Sequence, residues 1–259
     1  MFTTFRRHLL AAFLIPLVFA AFPAVTYATH SWGGYHWART ANPFTLSLGD
    51  NVSNTWDSYL ATTSSDWSIS TVLDTTVVPG MASKSRLCRP TTGRVEVCNA
   101  TYGNNGWLGV ASISITGGVH ITKGSVKVND TYFNTAQYNT AAWRNLVMCQ
   151  EVGHTLGLDH QDVNFSNANL GTCMDYTSDP STNQHPNQHD YDELETIYAH
   201  LDTTTTVGQS APGSSAAEGA EAAGEWGRLI ATSSGGRTSV FQLDAGAGQS
   251  VITFVIWAR

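Results

Sequence analysis

Gln150-Glu151-Val152-Gly153-His154-Thr155-Leu156-Gly157-Leu158-Asp159-His160 is the stretch whose reading decides the fold. It closes the strongest predicted helix of the chain, Asn139 to Gly157, and Gly157 is suited to ending it. Positions 150 and 154 are one helical turn apart, so their side chains share a face and can reach one ion. Glu151 falls on the neighbouring flank, where a carboxylate can hold a water. Gly157 lets the backbone turn with positive φ and returns His160 toward the same point. A buried helix with hydrogen-bonded histidines would explain a single His; two His with this Glu and this Gly point to a metal site.

Outward from this stretch, the N-terminal side reads as alternating strands and helices. Phe44 to Leu48 and Thr71 to Val78 are predicted strands, the latter from its β-branched residues. Asn54 to Ile69 carries Trp56, Tyr59, Leu60 and Trp67 at spacings that predict an amphipathic helix. Trp107 to Ile115 and Ile121 to Val128 read as two further strands around Gly117-Gly118, and a helix is expected from His189 to Leu201. Residues 29–202 thus read as one domain. Residues 203–224, rich in Thr, Ser, Gly and Ala, read as a linker. Residues 225–259 alternate in two segments and predict a small β hairpin, marginally stable unless it docks.

Residues 1–28 read as a secretory signal peptide. Arg6 and Arg7 precede an apolar run, Leu9 to Phe22, and small residues end the segment at Ala28. That run is shorter than the roughly 20 residues a spanning helix needs, and no later segment is long and apolar enough to cross a bilayer. The expected location is therefore extracellular. Without the signal the formal charge falls from −7 to −9, 20 acidic residues against 11 basic. A chain so acidic, with no basic stripe, is a poor partner for nucleic acid or an anionic membrane. A monomer acting on protein or peptide is the expected state. The four cysteines of an exported chain imply two disulfides. Cys88–Cys98 and Cys149–Cys173 are the expected pairs, the first closing a hairpin. The absence of any CxxC pair argues against a zinc knuckle. The eight Trp read mainly as core, His30 and His36 as solvated, and the sequons at Asn51, Asn99, Asn129 and Asn164 as surface loops if glycosylated.

The motif resembles the signature of the metzincin metallopeptidases, closest to the matrixin branch, in which HExxHxxGxxH is followed by a methionine turn. Met174, in Gly171-Thr172-Cys173-Met174-Asp175-Tyr176, lies at a fitting distance for that turn. Residues 185–201 are similar to the closing helix of a matrixin catalytic domain, and Leu108 to Ala111 to the start of its substrate-binding edge strand. The resemblance implies an α+β fold with a twisted mixed sheet of about five strands, a metal-site helix, a Met-turn and a C-terminal helix. It implies Zn2+ as cofactor, His154 and His160 as ligands, and Glu151 as general base. Substrate would lie along Leu108 to Ser114 as an added strand, and Met174 to Pro180 would wall the pocket beyond the cut bond.

Two departures stand out. Gln150 occupies the place of the first histidine ligand, and an amide oxygen is a poorer zinc donor than imidazole. Either Gln150 ligates through that oxygen, or another group completes the site, or the chain is an inactive relative that only holds a peptide. Tyr176 leads among the other groups, ahead of Asp159, His185 and His189. It falls two residues after the turn methionine, where the astacin and serralysin branches place a zinc-bound tyrosine. The second departure is the expected absence of a prodomain: few residues separate Ala28 from the first strand and none is a cysteine, so the cysteine-switch latency of matrixins is not expected. No His and Asp set announces a second, structural zinc. Acidic loops such as residues 159–162 leave calcium open. A structural surface protein anchored by residues 225–259 is a third class of function.

Overall fold

In the Phe44–Asn51 segment Phe44, Leu46 and Leu48 alternate inward while Thr45 faces solvent, and the segment forms strand β2 of the computed structural model. The structure describes Met1 and residues 29–209, 225–233 and 235–258. The predicted signal segment and residues 210–224 of the predicted linker lie outside the described residues. After a short strand β1 (His36–Trp37) and β2, the chain forms helix α1 (Asp57–Trp67), β3 (Leu73–Pro79), β4 (Val95–Ala100), β5 (Trp107–Thr116) and β6 (His120–Asn129). Helices α2 (Asp130–Phe133), α3 (Ala141–Thr155) and α4 (Gln188–Ile197) follow, then strands β7 (Arg228–Thr232), β8 (Thr238–Gly246) and β9 (Gln249–Trp257).

The class is α+β, as expected, but among the described residues the sheet has nine strands rather than about five. Its order is β3-β2-β4-β6-β5-β9-β8-β7, with β1 beside β6. β1 to β4 and β6 pair in parallel, whereas β5 is antiparallel to both its neighbours, β6 and β9. The three last strands and the two-residue β1 supply the difference: β1 pairs with β6, and the predicted hairpin of residues 225–259 joins the main sheet through β9. It thereby gains the third strand and the apolar face that an isolated two-stranded ribbon lacks. Val251, Ile252, Phe254 and Ile256 are buried there, and Trp226, Phe241 and Val255 pack with Tyr102 and Trp107 as a second small core.

Helix α3 lies between the sheet and the segment around Met174. Thr140 caps its start by accepting from the Trp143 N–H. Every residue from Leu146 to Thr155 is buried, Gln150, Glu151 and His154 included. Two tryptophans tie it in place: Trp67 Nε1 donates to the Cys149 carbonyl (3.2 Å) and Trp37 Nε1 to that of Thr155 (2.9 Å). The Cys149–Cys173 disulfide joins the helix to the Met174 segment across 24 residues, a closure that stabilises by about 3 kcal/mol. The Cys88–Cys98 disulfide is also present. It does not close a hairpin: Cys98 lies on β4, which runs parallel to β2 and β6, so the bridge anchors a loop to the middle of the sheet.

Several residues expected at the surface are inside. His30 and His36 are each 5% exposed, because the segment after residue 29 runs along the loop that follows α3. There Trp32 N donates to Gly157 O (3.1 Å) and Asp159 N to His30 O (2.6 Å). Asn129 is fully buried and caps α2, and Asn99 is nearly so, donating to Ser53 and Asp130. Neither sequon offers an amide nitrogen to a glycan in this fold. Of the predicted linker, Thr206 donates to the Ala38 carbonyl and Gly208 to that of Gly93, so residues 203–209 are laid along the domain. Among the described residues no helix is long and apolar enough to cross a membrane.

Candidate metal centre

Gly157 takes φ +100°, ending α3 as the sequence predicts, and the Leu158 N–H closes back on the Gly153 carbonyl. The reversal brings His160 beside His154, with ring centroids 4.5 Å apart and both side chains buried. His154 Nδ1 faces the Leu158 carbonyl at 2.9 Å, which can only accept, so Nδ1 carries the proton. His160 Nδ1 faces Asp159 Oδ1 at 3.3 Å, and the hydrogen bond and charge of His160 hold Asp159 below the usual carboxylate range despite its burial. Both Nε2 atoms are left with lone pairs, and they stand 3.1 Å apart. Burial first, and then the neighbouring imidazole, pushes His154 down to about 3; burial also lowers His160. Burial thus disfavours a second proton on either ring.

Two buried lone pairs at that distance repel unless a cation lies between them. The edge of a tetrahedron around zinc, with bonds of about 2.0–2.1 Å to nitrogen, is about 3.3–3.4 Å. The separation therefore fits a common ion closely. Gln150, one turn before His154, completes the picture. Its Nε2 donates to the Cys173 carbonyl (2.8 Å), which fixes the orientation of the amide, and its Oε1 is buried with no partner among the described residues. An orphaned buried carbonyl oxygen one helical turn before His154 is a group that a cation could satisfy. Glu151 follows the same pattern. It accepts from the Ala111 N–H of β5, its Oε2 has no partner, and burial raises its pKa well above the ordinary value. Gly109, opposite on β5, leaves it room: a Cβ there would lie 2.6 Å from Glu151 Oε1.

The Met174 segment approaches α3 at Gly153, where a Cβ would meet Met174 Sδ at 2.6 Å and Trp67 at 2.8 Å. Only a residue without a side chain admits that contact, a requirement the spacing of the motif did not announce. Gln161 N donates to Met174 O (2.6 Å), so that segment and the His160 loop run side by side. Tyr176 packs its ring on His160, centroids 4.0 Å apart, and burial raises its hydroxyl pKa. That hydroxyl accepts from Thr238 Oγ1 of β8. The weaker candidates turn elsewhere: His185 is exposed and paired with Asp66 (2.7 Å), and His189 stacks on His30. The acidic loop at residues 159–162 gathers no group of three ligating side chains among the described residues.

The edge of β5 is not open. β9 pairs with it along the whole expected substrate track, from Trp107↔Trp257 to Ile115↔Ser250. From β9, Phe254 lies flat on His154, centroids 4.2 Å apart and 4° from parallel, and meets Trp32 edge-on at 5.6 Å. A cavity of about 110 Å3 remains beside Tyr176, Asp159 and Thr238, too small for a peptide. Phe254, Thr238, Trp32 and Gly153 are the residues sequence reasoning missed. Each acts through a contact between distant segments, and none belongs to a spaced motif.

No protein-family model matches the chain, and no curated protein matches it. Among solved structures the chain is similar to myroilysin, with 12% identity and a TM-score of 0.36 over 63% of this chain and 86% of that one. It is similar as well to high choriolytic enzyme 1, a hatching-enzyme zinc-protease of the medaka Oryzias latipes, with 9% identity and a TM-score of 0.35 over 63% of this chain and 94% of that one. At such scores the functional reading stands on the side chains of the site.

Proposed function

We propose that the chain is a secreted zinc-dependent endopeptidase, with His154, His160 and the amide oxygen of Gln150 holding the metal and Glu151 as general base. The observation that carries this reading is the pair of facing Nε2 lone pairs at 3.1 Å, with Gln150 and Glu151, each holding an orphaned buried oxygen, on the same helix within one turn before His154. Zinc, when bound, supplies Lewis acidity: it brings the pKa of a water near neutrality and polarises a carbonyl. Glu151 Oε2 takes the proton of the attacking water and passes it to the departing amine nitrogen. The Ala111 N–H fixes Glu151 Oε1, so the other oxygen stays aimed at that water. Tyr176, once its hydroxyl leaves Thr238, donates to the developing oxyanion. With β9 in place a substrate strand has no free β5 edge to join, so cleavage on that track requires β9 to yield it; residues 174–180 would wall the pocket beyond the cut bond.

The second reading is an inactive relative that binds peptide without cutting it, and Gln150 favours it. One substitution separates the two. If the amide is a true ligand, Gln150→His is expected to tighten zinc by about 100-fold, at the upper end of what changes around a metal site produce, with cleavage of casein rising modestly. A chain that cleaves nothing until the histidine is restored would be the inactive relative. The experiment for the main reading is elemental analysis of the purified protein together with casein or gelatin cleavage before and after chelation. Less than one zinc per chain after incubation with excess Zn2+ would end it.

A further inference from the structure

We infer that His36, His200 and Asp202, with His120 beside them, form a second metal site that takes a zinc-class divalent cation and clamps the end of the domain. The sequence showed no such set, because its members are far apart in the chain. His36 lies on β1, His120 opens β6, and His200 and Asp202 follow α4. The ligating atoms of His36, His200 and Asp202 converge within 4.8 Å of one another. His36 Nε2 is 3.1 Å from His200 Nε2, and Asp202 Oδ1 is 3.6 Å from the first and 3.8 Å from the second. His120 Nε2 approaches the same carboxylate oxygen at 3.1 Å. These separations lie around the tetrahedral edge of about 3.3 Å that zinc requires.

The surroundings are built for ligation. His36 Nδ1 donates to the Gly34 carbonyl at 2.7 Å, which turns the lone pair of Nε2 into the cluster. Asp202 Oδ2 is held by Arg39, through Nη1 (2.9 Å) and the backbone N–H (3.2 Å), so Oδ1 is presented to the imidazoles. His36 is buried while His200 is half exposed, so an ion can enter from the solvent side. A bound ion would fasten residues 198–209 to the sheet.

The test is zinc stoichiometry in the full-length protein, with Zn2+ alone as titrant. The parent chain is expected to hold two ions. H154A/H160A should retain one, and its cobalt derivative should show a tetrahedral nitrogen–oxygen spectrum. Adding His200→Ala, which removes a solvent-facing side chain and spares the core, should abolish that ion. An H154A/H160A chain that binds no zinc, or one whose ion survives His200→Ala, overturns the site and leaves a ring of hydrogen bonds.

Different residues carry a second inference, which rests on the peptidase reading. We propose that the β8–β9 hairpin holds the cleft closed, occupying on β5 the place of an extended peptide. The hairpin blocks three things at once: the strand edge by β9, the face of His154 by Phe254, and the Tyr176 hydroxyl by Thr238. Ser112 and Thr253 face each other across the β5–β9 pair, hydroxyls 3.0 Å apart, and so give a reversible lock. Oxidised S112C/T253C is expected to cleave peptide at least tenfold more slowly than the parent. Reduction should restore it to the rate of the parent in the same reductant. Thr253→Pro, which breaks the ladder, should exceed the parent at least tenfold. A locked chain as active as the parent overturns the cover. No cleavage in any variant, with faster deuterium exchange on β5 in Thr253→Pro, would instead locate the failure in the peptidase reading.

Discussion

Glu151→Gln, with zinc bound, is expected to lower peptide cleavage by roughly 10³-fold, inside the 10²–10⁴ range general acid–base groups contribute. That loss corresponds to about 4 kcal/mol of transition-state stabilisation. The substitution is chosen for what it preserves. Glutamine keeps the volume of a side chain that is 1% exposed, and its amide oxygen can still accept from the Ala111 N–H. It removes only the capacity to take a proton at the second oxygen, the one with no partner. Zinc content and thermal stability should therefore stay within error of the parent while turnover falls. The measurement is the cleavage rate of a quenched fluorescent peptide, normalised to bound zinc. Equal rates in the two chains would remove Glu151 from the mechanism.

Gly157→Ala should be the most damaging single-methyl addition at the site. The residue sits at φ +100°, a conformation costing a side-chain-bearing residue about 1–3 kcal/mol. Its added Cβ would also lie 2.2 Å from the Tyr35 carbonyl oxygen, a backbone atom that cannot swing aside. The sum is expected to be about 3–4 kcal/mol, a large part of a typical domain's stability. The melting temperature should fall by roughly 10 °C. Zinc affinity should fall further than stability alone explains, because the turn at residue 157 sets where His160 arrives. Differential scanning calorimetry and zinc titration check the two effects separately. A melting point within 2 °C of the parent would mean that the loop can relax, contrary to the rigid approach of Tyr35.

How much of this was legible in the sequence follows the range of the interactions. α3, the positive φ at Gly157 and the convergence of His154 with His160 depend on residues within ten positions of one another, and helical geometry alone relates them. The two disulfide pairs were also read from the sequence and are present. The strand count failed because β9 pairs with β5 through backbone groups of segments about 140 residues apart, and backbone pairing leaves no side-chain signature. His36 reads as solvated from its place near the expected mature N-terminus; its neighbours in space are His120, Tyr198 and His200.

The sequence by itself therefore determined the chemistry on offer: which imidazoles, which carboxylate and which glycine stand where along one helix and its exit. Only the tertiary structure decided what that chemistry meets. It turned the Gln150 amide so that its oxygen is left over, laid Phe254 on His154, and gathered His36, His200 and Asp202 from opposite ends of the domain. The physical reason is that a helix fixes its own side chains through local hydrogen bonds. Contacts between distant segments are instead selected by burial, which depends on the whole folded chain at once.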